Sequence, residues 1–340
     1  MTASTTDQVT AAVLGSGAWG TTFASVLTDA GTPTTLWGRE PEVLAQVAYE
    51  ARNERSLPGL TLATGIAATT DAEEALAGAD IVAIAVPAQR ARDVVTPFAS
   101  LIPPHATVVS LMKGIEVGTH ARMSQVLAEA LDLEPERVAV VSGPNLAREI
   151  AQRQPTATVI ASTDAAAAER VAAATASAYF RPYTNADMVG VELSGAYKNV
   201  IAVSVGIAAG MGLGNNTTAT VITRGLAEIT RLGLALGARA ETFSGLAGAG
   251  DLIATCASPL SRNHTLGKYV GEGKSLAEAV SLTGGTAEAV ATAGSIQELA
   301  AALGVEVPIC DAVVTMLSGE IPVEQVLATL LSRPRKAEVD

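Results

Sequence analysis

The sequence predicts an α/β fold: an N-terminal parallel-sheet domain covered by helices on both faces, then an all-helical C-terminal domain. Three observations predict it. Short apolar runs alternate with helical stretches through the first half of the 340 residues. Each run ends in a segment rich in Gly, Pro or polar residues. After about residue 188 the short runs stop, and long Ala/Leu/Gly-containing helical stretches replace them. The expected boundary therefore divides residues 1–188 from residues 189–335.

The elements follow in order. VTAAVL at 9–14 reads as a buried strand, followed by GSGAWG and an apolar helix ending near Gly31. TTLWG (34–38), DIVAIAV (80–86, stopped by Pro87), TVVSLM (107–112) and VAVVS (138–142) are four more strands. Helical spacing fills the gaps, notably at 88–99 and 121–131, and the Ala-rich run 165–174 reads as an amphipathic helix. The first long helix of the second domain is expected over 189–209, and the terminal SRPRKAEVD as a frayed tail. Strands alternating with helices make parallel sheets, whose ligands bind outside the carboxyl ends of the strands. Here those ends carry GSGAWG, WGRE, VPAQ, MKG and SGPN.

Composition narrows the chemistry. Hydrophobic residues make up 49% but aromatics only 3%, so the core is built mainly from Ala, Val, Leu and Ile. A net charge of -12 argues against a nucleic-acid partner, which needs an excess of Lys and Arg. A small anionic substrate stays admissible, because a few cations can converge in one pocket. The N-terminal MTASTTDQVT lacks the basic and apolar regions of a signal peptide. The weakly polar stretch 200–214 is interrupted by Ser204 and glycines, short of the roughly 18 apolar residues of a membrane span. Cys256 and Cys310 are too few and too far apart for a disulfide framework. A soluble, cytoplasmic protein is the expectation.

The glycine-rich turn is the first site. In the G-x-G-x-x-G pattern, Gly15 permits the tight strand-to-helix turn, Gly17 lets backbone approach a pyrophosphate, and Gly20 allows close packing. Ala18 and Trp19 open the helix, and Trp19 is expected to cover a nucleotide rather than fill the core. The plainer reading is a turn that uses glycine for its φ freedom. An acidic ribose partner belongs at the end of the second strand, where WGRE places Arg39 before Glu40. A guanidinium there suits a 2′-phosphate, so NADP is admitted beside NAD. A solvated Arg39–Glu40 pair is the bland alternative.

Lys113, in SLMKGIE, closes a strand and so faces the ligand crevice rather than the general surface. SGPNLAREI puts Gly143, Pro144 and Asn145 at another strand end; its bland reading is a capped loop. Lys198 stands midway along an apolar helix, flanked by Ser194 and Asn199. A charge there is costly unless it reaches water, a partner or a ligand. Burial and a second cation such as Lys113 would lower its pKa from about 10.4 toward the range useful for acid–base work. In GLAGAGDLIATCASPLSRNHTLG, glycines surround Asp251, and Ser261, Arg262 and Asn263 suit a grip on phosphate. An ordinary helix cap is the alternative. His105, His120 and His264 are scattered without metal-ligand spacing, and no metal is expected.

Together these motifs resemble bacterial-type NAD(P)-dependent glycerol-3-phosphate dehydrogenases. The likeness runs through GSGAWG, LWGRE, RNERSLPG, VPAQ, KGIE, SGPNLAREI, ELSGAYKNVIA, ITRGLAEITRLG, GAGDLIATC and SRNHTLG, over about residues 11–270. It implies a Rossmann domain followed by a helical domain, usually in a homodimer. The implied activity is interconversion of sn-glycerol 3-phosphate and dihydroxyacetone phosphate, feeding phospholipid synthesis. By the same likeness Lys198 transfers the proton, assisted by Lys113 and Asp251. Lys113, Gly143, Asn145, Lys198, Asp251, Ser261, Arg262 and Asn263 line the substrate site. Gly15, Gly17, Ala18, Trp19, Gly20, Arg39, Arg55, Lys113, Ala147, Arg262 and Glu288 touch NAD or NADP. Two positions depart from the family. Asn145 replaces a frequent threonine or serine, and Thr286-Ala287-Glu288-Ala289 replaces V-V-E-G.

Three other readings compete. A β-hydroxyacid dehydrogenase shares the plan but grips a carboxylate. A catalytically silent NAD(P) sensor needs no lysine in an apolar helix. A sugar-nucleotide dehydrogenase would use Cys256, which has no activating base nearby in sequence.

Overall fold

The computed structural model describes residues 8–258, 261–284, 288–332 and 334. Its strands are β1 (Ala11–Leu14), β2 (Thr34–Trp37), β3 (Ala67–Thr69), β4 (Ile81–Ile84), β5 (Thr107–Ser110), β6 (Val138–Ser142), β7 (Thr156–Ala161) and β8 (Phe180–Asn185). They form one eight-stranded sheet in the order β3-β2-β1-β4-β5-β6-β7-β8. The helices of this half are α1 (Ala18–Asp29), α2 (Pro41–Ala45), α3 (Ala72–Leu76), α4 (Ala91–Val95), α5 (Met123–Leu131), α6 (Ala147–Ala151) and α7 (Ala165–Thr175).

The five predicted strands are all present, and three more extend the sheet. The prediction of a parallel sheet needs one correction: β7 runs antiparallel to β6. The connection between them carries only the five-residue α6. Such a helix rises about 7.5 Å, too little to return the chain along the sheet for a parallel neighbour. The missed strands lack a strong signal. β3 is three residues long, and β8 (FRPYTN) is an edge strand holding Pro182 and a mostly solvated face.

Two helix predictions also shift. The stretch 88–99 breaks into a 3₁₀ turn (Ala88–Arg90), α4, and a second 3₁₀ stretch (Thr96–Leu101). Pro97 lies at the start of that stretch and has no N–H to continue the α-helical ladder. The helix expected from 121 begins at Met123, because a bridge between Ile115 and Arg122 closes the preceding loop.

Strand side chains alternate between two cores. Ala11 and Val13 join Leu36, Val109 and Ile160 on one face, while Ala12 and Leu14 join Val82, Ile84 and Val108 on the other.

The second half contains α8 (Met188–Gly210), α9 (Asn215–Ala235), α10 (Ala240–Ser244), α11 (Asp251–Ala257), α12 (Arg262–Gly271), α13 (Leu276–Leu282), α14 (Glu288–Ala302), α15 (Pro308–Ser318) and α16 (Val323–Leu331). Among the described residues no strand follows Asn185, and no helix is long and apolar enough to cross a membrane. The tail 333–340 lies almost wholly outside the described residues. α8 starts one residue before the expected 189 because Asp187 caps it, accepting from the Gly190 N–H at 2.9 Å. The same carboxylate accepts from Arg239 N (2.9 Å) and Thr242 Oγ1 (2.7 Å), tying the helix entry to α10.

α12 lies directly on the backbone of α8. A Cβ at Gly206 would sit 2.1 Å from His264 O, and one at Gly267 would sit 2.1 Å from Val203 O. Gly210 and Gly271 repeat the contact one turn on. These four glycines bring the start of α12 toward the Lys198 end of α8. Gly267→Ala should force the helices apart, costing about 1–3 kcal/mol. A thermal melt should show the lowered Tm.

Candidate active site

The β1–α1 turn is built by contact. Gly15 has φ +123°, and a Cβ there would lie 2.3 Å from Ala85 O; at Gly20 it would lie 2.0 Å from Gly15 O. Gly17 differs, since a Cβ there meets nothing within 4 Å. The open space lies beside the first turn of α1, which has neither a side-chain cap nor an acidic residue. Unpaired N–H groups at such an end, with the helix dipole behind them, favour an anion. Asn53 holds the turn in place. It is wholly buried, donates to Ser16 O (3.0 Å) and Thr21 Oγ1 (2.9 Å), and accepts from Ser56 N at 3.0 Å.

Around this turn, Thr22 Oγ1 donates to Ala147 O at 3.3 Å, bringing Ala147 against α1. Trp19 meets Phe23 edge-on at 5.7 Å and packs on Val26, Ile150 and Phe180. Its ring thus serves the core, contrary to the expectation of a pure cover, although its indole N–H has no partner. At the end of β2, Glu40 pairs with Arg55 at 2.5 Å rather than with Arg39. Arg39 is exposed and makes no hydrogen bond or ion pair among the described residues. The bland Arg39–Glu40 pair does not form.

The chemical centre lies where the C-terminal ends of β5 and β6 meet α8 and α11. A wide helical turn, Leu246–Gly250, delivers Asp251 to the first position of α11. Asp251 is 1% exposed. Its Oδ2 accepts from Lys113 Nζ at 2.6 Å, and its Oδ1 accepts from Lys198 Nζ. Lys113 also donates to Gly143 O at 3.0 Å, and Lys198 to Thr255 Oγ1 at 2.6 Å. Two ammoniums share one buried carboxylate, leaving the cluster cationic.

Burial is the main influence on Lys198 and lowers its pKa to about 8; Asp251 opposes the shift and Lys113 adds to it. Lys198 therefore does not snorkel: it is 7% exposed and held inside. Cys256 lies on the next turn of α11, but burial pushes its thiol up to about 12, the reverse of an activated nucleophile.

Among the described residues, five buried side-chain polar atoms have no hydrogen-bond partner: Trp19 Nε1, Ser142 Oγ, Asn145 Oδ1, Ser194 Oγ and Thr292 Oγ1. Ser142, Asn145 and Ser194 flank the Lys113–Gly143 contact in sequence or across the β6–α8 interface. Buried polar groups are almost always paired, so this concentration marks a place for a polar ligand. Asn145 does not cap α6; its Nδ2 donates instead to Thr158 Oγ1 at 2.9 Å.

The other predicted residues are distributed as follows. Ser261 caps α12, its hydroxyl accepting from His264 N at 3.3 Å. Arg262 is exposed, and its charge draws down the Glu288 carboxyl, although burial dominates and leaves that pKa raised. Asn263 is half-buried beside it. Glu288 Oε1 accepts from Ala88 N at 3.3 Å, joining α14 to the end of β4. Thr286 and Ala287 lie outside the described residues. Sequence reading missed Asn53, Thr255 and Thr292. Only Thr255 had a readable signal, its i+4 spacing from Asp251.

The N-terminal model of the NAD-dependent glycerol-3-phosphate dehydrogenases matches residues 10–168, and the C-terminal model of the same enzymes matches residues 187–328. The chain belongs to this family. It is 54% identical over 328 residues to a glycerol-3-phosphate dehydrogenase [NAD(P)+] of Thermobifida fusca, covering 96% of this chain and 98% of the relative. A relative of the same name from Corynebacterium glutamicum is 53% identical over 331 residues, covering 97% and 100%. Among solved structures, the glycerol-3-phosphate dehydrogenase of Coxiella burnetii superposes with a TM-score of 0.89 at 35% identity, covering 96% and 99%. The sheet of this family member is thus a Rossmann-type sheet with one antiparallel step, and its cofactor is NAD or NADP.

Proposed function

We propose that the chain interconverts sn-glycerol 3-phosphate and dihydroxyacetone phosphate, with NAD or NADP as the hydride carrier. The observation that carries this reading is the buried Lys113–Asp251–Lys198 cluster at the C-terminal edge of the sheet. Family membership gives the substrate, and the cluster gives the chemistry. When bound, the nicotinamide cofactor donates hydride to C2 of the ketone or accepts it from the alcohol.

The chain's own residues do the rest. In the reductive direction Lys198 gives a proton to the C2 oxygen, and Lys113 stabilises negative charge developing there. Asp251 fixes both ammoniums. Gly143 and Asn145 line the substrate beside Lys113. Ser261, Arg262 and Asn263 hold the phosphate at the start of α12, where the helix dipole adds to the grip. Gly15, Gly17, Ala18, Trp19 and Gly20 form the pyrophosphate turn, with Ala147 beside it. Arg39 and Arg55 stand at the adenosine ribose, and Glu288 at the nicotinamide side. With the chain divided into 1–188 and 189–335, substrate lies between a cofactor half and a helical half. We further propose a cytoplasmic homodimer, without nucleic-acid partners, that supplies glycerol 3-phosphate for phospholipid synthesis.

The test is steady-state oxidation of NADH and NADPH with dihydroxyacetone phosphate, set beside a small 3-oxo acid semialdehyde. Turnover of the phosphate alone supports the reading; preference for the carboxylate substrate assigns a β-hydroxyacid dehydrogenase instead. Arg262→Ala should raise KM for dihydroxyacetone phosphate roughly ten- to a hundredfold, the worth of a hydrogen bond to a charged group. Lysine should restore only part of that, because it lacks the planar fork. An unchanged KM in the alanine variant would remove Arg262 from the phosphate site.

A further inference from the structure

Helix α14 turns two polar side chains, one turn apart, toward the strand ends beside Lys113. The first is Glu288, whose carboxylate accepts from Ala88 N. The second is Thr292, wholly buried, whose hydroxyl has no hydrogen-bond partner. It faces Gly114, the residue after Lys113. A Cβ at Gly114 would lie 3.6 Å from Thr292 Oγ1 and 2.7 Å from Ala88 Cβ. Ala88, Gly114 and Thr292 therefore form one close patch.

The Thr292 hydroxyl is not spent on its own helix. Several helical threonines here bond back to the carbonyl four residues earlier. Thr28, Thr175, Thr220, Thr230, Thr315 and Thr329 all do so at 2.8–2.9 Å. Thr292 makes no such bond to Glu288 O and keeps its donor toward the strand ends. A buried hydroxyl left without a partner is costly. That cost is recovered when a ligand brings an acceptor.

We infer that Thr292 donates a hydrogen bond to the carboxamide oxygen of the nicotinamide ring while Glu288 accepts from the carboxamide NH2. A carboxamide presents one acceptor and one donor group, and α14 presents one donor and one acceptor on a single face. The patch adjoins Lys113, so a ring held there lies beside the proton-transferring cluster. The inference rests on the proposed dinucleotide site and adds the group that orients its reactive ring.

Binding, not turnover, tests it. NADH and ADP-ribose, or NADPH and 2′-phospho-ADP-ribose, would be titrated calorimetrically into wild type, Thr292→Val and Thr292→Ser. Valine should weaken the reduced cofactor about tenfold, and serine should restore it. Binding of the ribose ligands, which lack nicotinamide, should be the same in all three. Because valine fills the same volume and removes an unpaired hydroxyl, the free variant's Tm should hold or rise. Equal weakening of both ligands would assign Thr292 a structural role and overturn the inference. Unchanged cofactor affinity would overturn it too, leaving the dinucleotide site intact. Only failure of wild type to bind any of the four ligands would remove the underlying site.

Discussion

Lys198→Ala is expected to lower turnover of dihydroxyacetone phosphate by roughly a hundredfold to ten-thousandfold, the usual worth of a positioned acid–base group. NAD(P)H affinity should be unchanged, because none of the proposed cofactor residues lies on α8 with Lys198. Nothing in α8 needs a lysine for folding. Its neighbours Tyr197, Val200 and Ile201 form an apolar core, and a buried ammonium among them is a burden. Burial is also what lowers its pKa to about 8, so that it can give a proton at neutral pH and take one above it. Single-turnover kinetics would measure the loss directly. Near-wild-type turnover would remove Lys198 from the proton-transfer role.

Asp251→Asn should be nearly as damaging, for a different reason. The carboxylate holds two ammoniums at once, and its loss leaves Lys113 and Lys198 facing each other without the charge that separates them. Removing one partner of a buried pair costs about 3–5 kcal/mol, so a clear fall in Tm is expected. The pH profile separates this from simple destabilisation. Asp251 raises the pKa of Lys198, opposing burial and Lys113. Without it the pKa falls below about 8. In the proposed role Lys198 must be protonated for reduction, so the variant's reductive activity should decline at lower pH than the wild type's. A lower Tm with an unmoved pH profile would confine Asp251 to a structural role.

These residues also show what could be read in advance. The strands with continuous apolar runs, the glycine turn and Lys113, Lys198 and Asp251 all carry local signals: periodicity, φ demands, or a charge in an apolar context. β8 escaped because a half-solvated edge blurs the period-2 pattern. The antiparallel step escaped because its cause is the length of α6, a boundary that sequence places poorly. Within the site, the cap that the sequence allowed at Ser261 is present. Asn53 and Thr292 were invisible because their meaning lies across packed elements: Asn53 donates to Thr21, 32 residues away, and Thr292 faces Gly114. An asparagine in a loop and a threonine in a helix look ordinary until the fold puts each against its neighbour.

The most direct measurement follows wild-type kcat/KM against pH in both directions, with dihydroxyacetone phosphate plus NAD(P)H and with glycerol 3-phosphate plus NAD(P)+. A buried lysine acting as acid one way and base the other predicts opposite limbs. Reduction should fall as pH rises through about 8, and oxidation should rise through the same value. Profiles that are flat there, or no turnover of either phosphate, would contradict the account.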